Sequence, residues 1–127
     1  MPIKIKGKIQ VSNGVRIVIN SDICRYYQSL IRREMPWIKT QLPTHGGHVT
    51  IYNPKLHGKA DLKLASYLRN KEVELTIFPE RLNQSKVNFW IPATAAIYDE
   101  VKRLLRFKET DRWLGLHLTV CNTKFNG

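Results

Sequence analysis

Two short segments of this chain carry a histidine followed two residues later by a threonine: Gly47-His48-Val49-Thr50-Ile51 and Leu116-His117-Leu118-Thr119-Val120. Imidazole has an ordinary pKa of about 6.5, so it takes or releases a proton near neutrality. A threonine hydroxyl can donate a hydrogen bond to a phosphate oxygen. In a strand, residues i and i+2 share a face. Read as strands, the two segments each present one imidazole and one hydroxyl together, and Val49, Ile51, Leu118 and Val120 point the other way into a core. Two such sets converging on one phosphodiester would suit cleavage without a metal. One histidine would act as general base toward an attacking hydroxyl, such as a ribose 2′-OH, and the other as general acid toward the leaving oxygen. Positive charge nearby would stabilise the developing transition state.

Other side chains could complete such a site. Tyr52 lies two steps beyond Thr50 and could line a cleft, stack on a base or form its rim. Trp37 and Trp113 flank the loops that lead to the two motifs and are candidates for base stacking, whereas Trp90 sits in an apolar run and is expected in the core. Lys124 follows the second motif and could neutralise phosphate charge. Arg16 alternates with Val15 and Ile17 and could face the cleft or solvent. His45 and His57 read as loop histidines. His45 has no neighbouring carboxylate or cysteine of the kind a metal site requires, and no metal or other cofactor is expected. Gly46-Gly47 lacks the Gly-Lys-Ser/Thr of a phosphate loop and is expected to turn the chain into the His48 strand.

The elements that must position these residues follow from periodicity. Ile3 to Ile9 alternates as a half-buried strand, Asn13-Gly14 marks a hairpin turn, and Val15 to Ile19 is the returning strand. Ser21 or Asp22 can cap a helix whose stripe is Ile23, Tyr26, Tyr27, Leu30 and Ile31 and which Pro36 ends. The strand 48–52 closes the first half. The second half repeats the order: strands at 73–78 and 86–91, a helix capped by Thr94, and a last strand at 116–121. A connecting helix over about 60–70 would turn Leu64, Ala65 and Leu68 inward. The expected fold is α+β, with duplicated strand–strand–helix–strand lobes at about 1–59 and 71–127 forming one bilobal domain. Its two terminal strands would lie side by side at a central cleft.

With 127 residues the chain has the length of one ordinary domain. No apolar run approaches the roughly 20 residues of a membrane span, and the N-terminus lacks the apolar core of a signal peptide. Cys24 and Cys121 are too few for a disulfide framework and read as buried free thiols in a reducing cytoplasm. The net charge is +11, which favours anionic partners. The excess is uneven: ten Lys/Arg against two Asp/Glu in residues 1–60, and eleven against eight in 61–127.

The paired His-x-Thr strands resemble those of the 2H phosphoesterases. Within that superfamily the chain is most similar to the phage anti-CBASS cyclic-oligonucleotide phosphodiesterases. The similarity rests on its small size, on Tyr26-Tyr27-Gln28-Ser29-Leu30-Ile31 before the first motif, on the His48–His117 spacing, and on the ending His117-Leu118-Thr119-Val120-Cys121-Asn122-Thr123-Lys124. The resemblance implies a metal-free enzyme in the host bacterial cytoplasm. It would cleave 3′–5′ linkages of cyclic di- and trinucleotide messengers such as cGAMP, with His48, Thr50, His117 and Thr119 catalytic. It implies no membrane partner. Two alternatives use the same cleft: a 2′,3′-cyclic or 2′–5′ phosphoesterase acting on RNA ends or oligoadenylate, and a non-catalytic nucleotide binder. Members of that group continue further past the second motif, so here either other loops close over a ligand or the chain is a shorter branch with a different substrate.

Overall fold

Alternation of apolar and charged residues builds the first hairpin of the protein. In a computed structural model that describes residues 1–85, 87–109 and 115–123, β1 (Ile3–Val11) turns through Ser12-Asn13-Gly14 into β2 (Val15–Val18), with Val11 opposite Val15. Ile9, Val11, Val15 and Ile17 are buried, while Lys4, Lys6, Lys8 and Gln10 on the other face of β1 are exposed. Helix α1 (Asp22–Glu34) follows, and Pro36, which cannot continue a helix, comes just after it. Its buried positions are Cys24, Gln28 and Ile31, with Ile23 and Tyr27 only partly covered and Tyr26 exposed. The helix is thus rotated from the expected stripe. Gln28 can be buried because its Nε2 donates to Thr40 Oγ1 at 3.2 Å, which satisfies the amide. Ser21 makes no cap hydrogen bond to α1; its Oγ accepts from Gly47 N–H at 3.0 Å and ties the helix entry to the start of the next strand.

That strand is β3 (His48–Tyr52), followed by the single-turn α2 (Pro54–His57). The connecting segment Leu62–Leu68 is a 3-10 helix. Its period of three puts Leu62, Ala65 and Leu68 on the core side and leaves Leu64 exposed. Then come β4 (Glu72–Ile77), the two-residue β5 (Asn83–Gln84), β6 (Asn88–Thr94), α3 (Ala96–Leu105) and β7 (His117–Asn122). Thr94 ends β6 and does not cap α3, whose N-cap position is Ala95.

The strands form one sheet in the order β4-β1-β2-β3-β7-β6-β5, and β4 also pairs with β6. Six strands therefore close into a barrel, with β5 as an extra strand on β6. This overturns the bilobal fold with duplicated lobes, and with it the 2H phosphoesterase and anti-CBASS assignment. The reason lies in β4. As first strand of a second lobe it should pair within its own half. Instead it runs antiparallel to β1 from Ile3↔Ile77 to Lys8↔Glu72, and it meets β6 only at Thr76↔Thr94 and Ile77↔Ala93. The expected adjacency of the terminal strands is present, with Val49 opposite Leu118 across β3 and β7. The halves are thus joined at both edges, which leaves no cleft between lobes.

Ile77 sits at this seam, opposite both Ile3 and Ala93, and is 1% exposed. Removing its side chain opens a cavity where the barrel closes. Ile77→Ala is expected to lower unfolding free energy by about 2–5 kcal/mol, read from urea denaturation. Exposed Ile3→Ala serves as the control and should change it by far less.

Candidate functional site

The polar residues of five neighbouring strands share one face. In an antiparallel pair, residues directly opposite one another point to the same side. Gln10 is opposite Arg16 and Arg16 opposite Thr50. The Val49↔Leu118 pair sets Thr50 beside His117, and His117 is opposite Pro92. The neighbouring row runs from Lys8 through Val18 to His48, then to Thr119 and Trp90. Arg16, His48, Thr50, His117, Thr119 and Trp90 are all half-buried. The structure thus brings the four His-x-Thr residues together on adjacent strands, rising side by side from one sheet.

Each motif is held by the same local device. His48 Nδ1 donates to the Gly46 carbonyl at 3.0 Å, and His117 Nδ1 donates to the Gly115 carbonyl at 2.9 Å. Both glycines are left-handed, with φ of 76° and 78°, a region that other residues enter only at a cost. Since a carbonyl only accepts, the neutral rings carry their proton on Nδ1 and keep Nε2 as acceptor on the far side. Beyond each motif a bulge interrupts the alternation. The register shifts between Val15 and Arg16 opposite β3 and between Phe89 and Trp90 opposite β7, so Ile51 and Tyr52 are both buried, as are Val120 and Cys121.

The bulge explains why Tyr52 does not line this face. It is 1% exposed, its hydroxyl donates to the Gly58 carbonyl, and its ring lies 5.8 Å from that of His57 and 5.3 Å from that of Phe107. His57 is part of this aromatic cluster, on α2, and not a loop residue. Trp37 is 75% exposed in the loop after α1. Trp113 and Lys124 lie outside the described residues. Trp90, expected in the core, is instead on the polar face, with its ring centroid 5.5 Å from that of His117. The signal for this was its register: it alternates with buried Phe89 and Ile91.

Charge on this face is not evenly balanced. On β1, Lys4 and Lys6 pair with Glu74 and Glu72 of β4 at 4.0 and 3.6 Å. Arg16 has its Nε held by Gln10 Oε1. Burial holds His48 below the ordinary imidazole value; the Gly46 hydrogen bond opposes this, and the positive fields of Arg16, His45 and His117 add to it. Burial likewise pushes the Cys121 thiol up to about 11 and raises Cys24, so both are inert free thiols.

The expected enzyme is corrected by this geometry. The paired-histidine phosphodiesterase, and its 2′,3′-cyclic and 2′–5′ variants, required two lobes facing across a cleft. The motifs instead occupy hydrogen-bonded neighbours of one closed sheet. Among the described residues no group of three or more His, Cys, Asp or Glu is placed to hold a metal ion, and no helix is long and apolar enough to cross a membrane. No protein-family model, curated protein or solved structure matches the chain.

Burial also lowers His57, although Asn53 and Glu109 oppose it. A histidine depressed in the folded state binds fewer protons there than in the unfolded chain. Its stabilising effect is therefore complete above the unfolded value of about 6.5 and is lost as pH falls through the lower folded value. Thermal midpoint should drop between about pH 7 and pH 5.5. His57→Phe, which keeps a ring between Tyr52 and Phe107, should flatten that drop. A midpoint equally pH-dependent in this variant and in the parent would remove His57 as a source.

Proposed function

We propose that the polar face binds a phosphate-bearing anion and holds it without cleaving it, with Arg16, His48, Thr50, His117 and Thr119 as the contacting residues. One observation carries this reading: two identically anchored imidazoles and two hydroxyls occupy adjacent rungs of β3 and β7, next to Arg16. Arg16 supplies a permanent charge and guanidinium donors that match phosphate oxygens. Thr50 and Thr119 supply hydroxyl donors. The His48 imidazole, once protonated, gains an Nε2–H donor while Nδ1 stays on the Gly46 carbonyl. The anion thus finds donors fixed by backbone anchors and needs no rearrangement of the sheet. The two buried free thiols suit a reducing, cytoplasmic setting.

The proton balance gives the reading a sign. His48 is held below its ordinary value in the free protein. A bound phosphate favours the charged ring, so binding takes up a proton, and affinity must rise as pH falls through the neutral range. Calorimetric titration with pyrophosphate, a mononucleotide and a cyclic dinucleotide should show tighter binding at about pH 6 than at pH 8, with the ligand recovered intact. Arg16→Gln should weaken binding about tenfold or more, the scale of one lost charged hydrogen bond. Binding that is independent of pH and equal in Arg16→Gln and in His48→Phe/His117→Phe would dismiss the proposal. So would product formation on prolonged incubation.

A further inference from the structure

The polar face opens into a hollow on its β3 side. One cavity of about 440 Å³ is lined by Arg16, His48 and Thr50 together with His45, Lys55 and the turn between β1 and β2. That turn forms a close wall: a Cβ on Gly14 would stand 2.5 Å from the Tyr52 carbonyl oxygen, so the hairpin lies directly against the end of β3. Among the described residues no Asp or Glu lines the cavity, and the ion pairs fall elsewhere. His45 and Lys55 leave from fixed backbone. Gly46 N–H donates to the Pro43 carbonyl at 3.1 Å, which closes a turn around His45, and the Gly46 carbonyl accepts from His48 Nδ1 at 3.0 Å. Asn53 Oδ1 accepts from Lys55 N–H at 2.9 Å, which sets Lys55 just past β3. The positive field of His45 is felt at His48, so the two rings belong to one electrostatic site.

From this shared cavity we infer the ligand class: a small molecule bearing a terminal diphosphate, with its first phosphate on Arg16, His48 and Thr50 and its second against His45 and Lys55. The inference rests on the phosphate-binding reading and extends it. The two phosphates of a diphosphate are joined through one oxygen, so both fit inside a single cavity. Their combined charge needs positive groups on more than one wall, and a hollow lined by one sign of charge concentrates the field on what it holds. A cyclic dinucleotide meets this less well, because its phosphodiesters are separated by sugars and each carries a single charge. The volume falls near the lower end of the roughly 300–1,000 Å³ of small-molecule pockets, which suits a diphosphate and the group attached to it. His117 and Thr119 do not line the cavity; beside Thr50 on β7, they meet the first phosphate from the other side.

Calorimetric titration at about pH 6 with AMP, ADP and pyrophosphate tests this. ADP should bind about tenfold tighter than AMP, the scale of one added charged hydrogen bond, and pyrophosphate should compete with ADP. Lys55→Gln should weaken ADP by about 3- to 10-fold, the lower part of the range for such a bond because Lys55 is exposed. It should leave AMP unchanged, and Lys55→Arg should restore ADP. His45→Gln should likewise reduce the preference for ADP. Lys63→Gln removes the same charge from an exposed lysine outside the cavity and should change neither affinity. Equal binding of ADP and AMP by the parent, an unchanged preference in Lys55→Gln, or an equal loss in Lys63→Gln overturns the inference while leaving phosphate binding intact. Failure of all three ligands to bind the parent defeats the underlying reading instead.

Discussion

β4 is hydrogen-bonded along both of its edges, to β1 over its whole length and to β6 at its end. On that constraint the barrel depends. With β3 and β7 also paired, no strand of the six keeps a free edge along its whole length, and the apolar sides of all of them share one core with the inward residues of α1 and α3. Closure ties the halves of the chain together, which fixes what can stand next to what on the remaining polar side. Two motifs far apart in sequence become neighbours because their strands are neighbours, and their distance is set by the spacing of a hydrogen-bonded ladder.

Precision within that neighbourhood comes from small backbone devices. A left-handed glycine two residues before each histidine offers its carbonyl to Nδ1, and a bulge after each threonine ends the alternation. The first fixes the tautomer and aims Nε2; the second turns Tyr52 and Cys121 inward and so limits the polar face to the motif itself. The local recurrence that suggested a duplicated lobe is thus genuine at the scale of five or six residues. It does not extend to the packing, because the strand that should open the second copy belongs mainly to the first.

Much of the local structure could be read from residue pattern. The alternation in β1 and β2, the Asn13-Gly14 turn, the helix ended before Pro36 and the strands bearing His48 and His117 all follow from short-range rules. The failures have physical causes too. The α1 stripe rotated because Gln28 finds a buried partner in Thr40, which no periodicity count foresees. The connecting segment tightened to period three, and Leu64 swung outward. Trp90 looked like core in an apolar run, yet its register places it opposite Thr119 on the polar face.

What the residues determined alone was therefore the inventory: which segments are strands or helices, which side of each strand is apolar, the two imidazole–hydroxyl pairs and the strong positive charge. Tertiary structure decided the rest, namely that β4 crosses to β1, that the halves fuse into a closed barrel, and that Arg16 and Trp90 join the motifs on one face. Short-range patterns report how each segment presents its faces, and they carry no information about which edge it pairs with. That choice is made by hydrogen bonds and burial between residues distant in sequence.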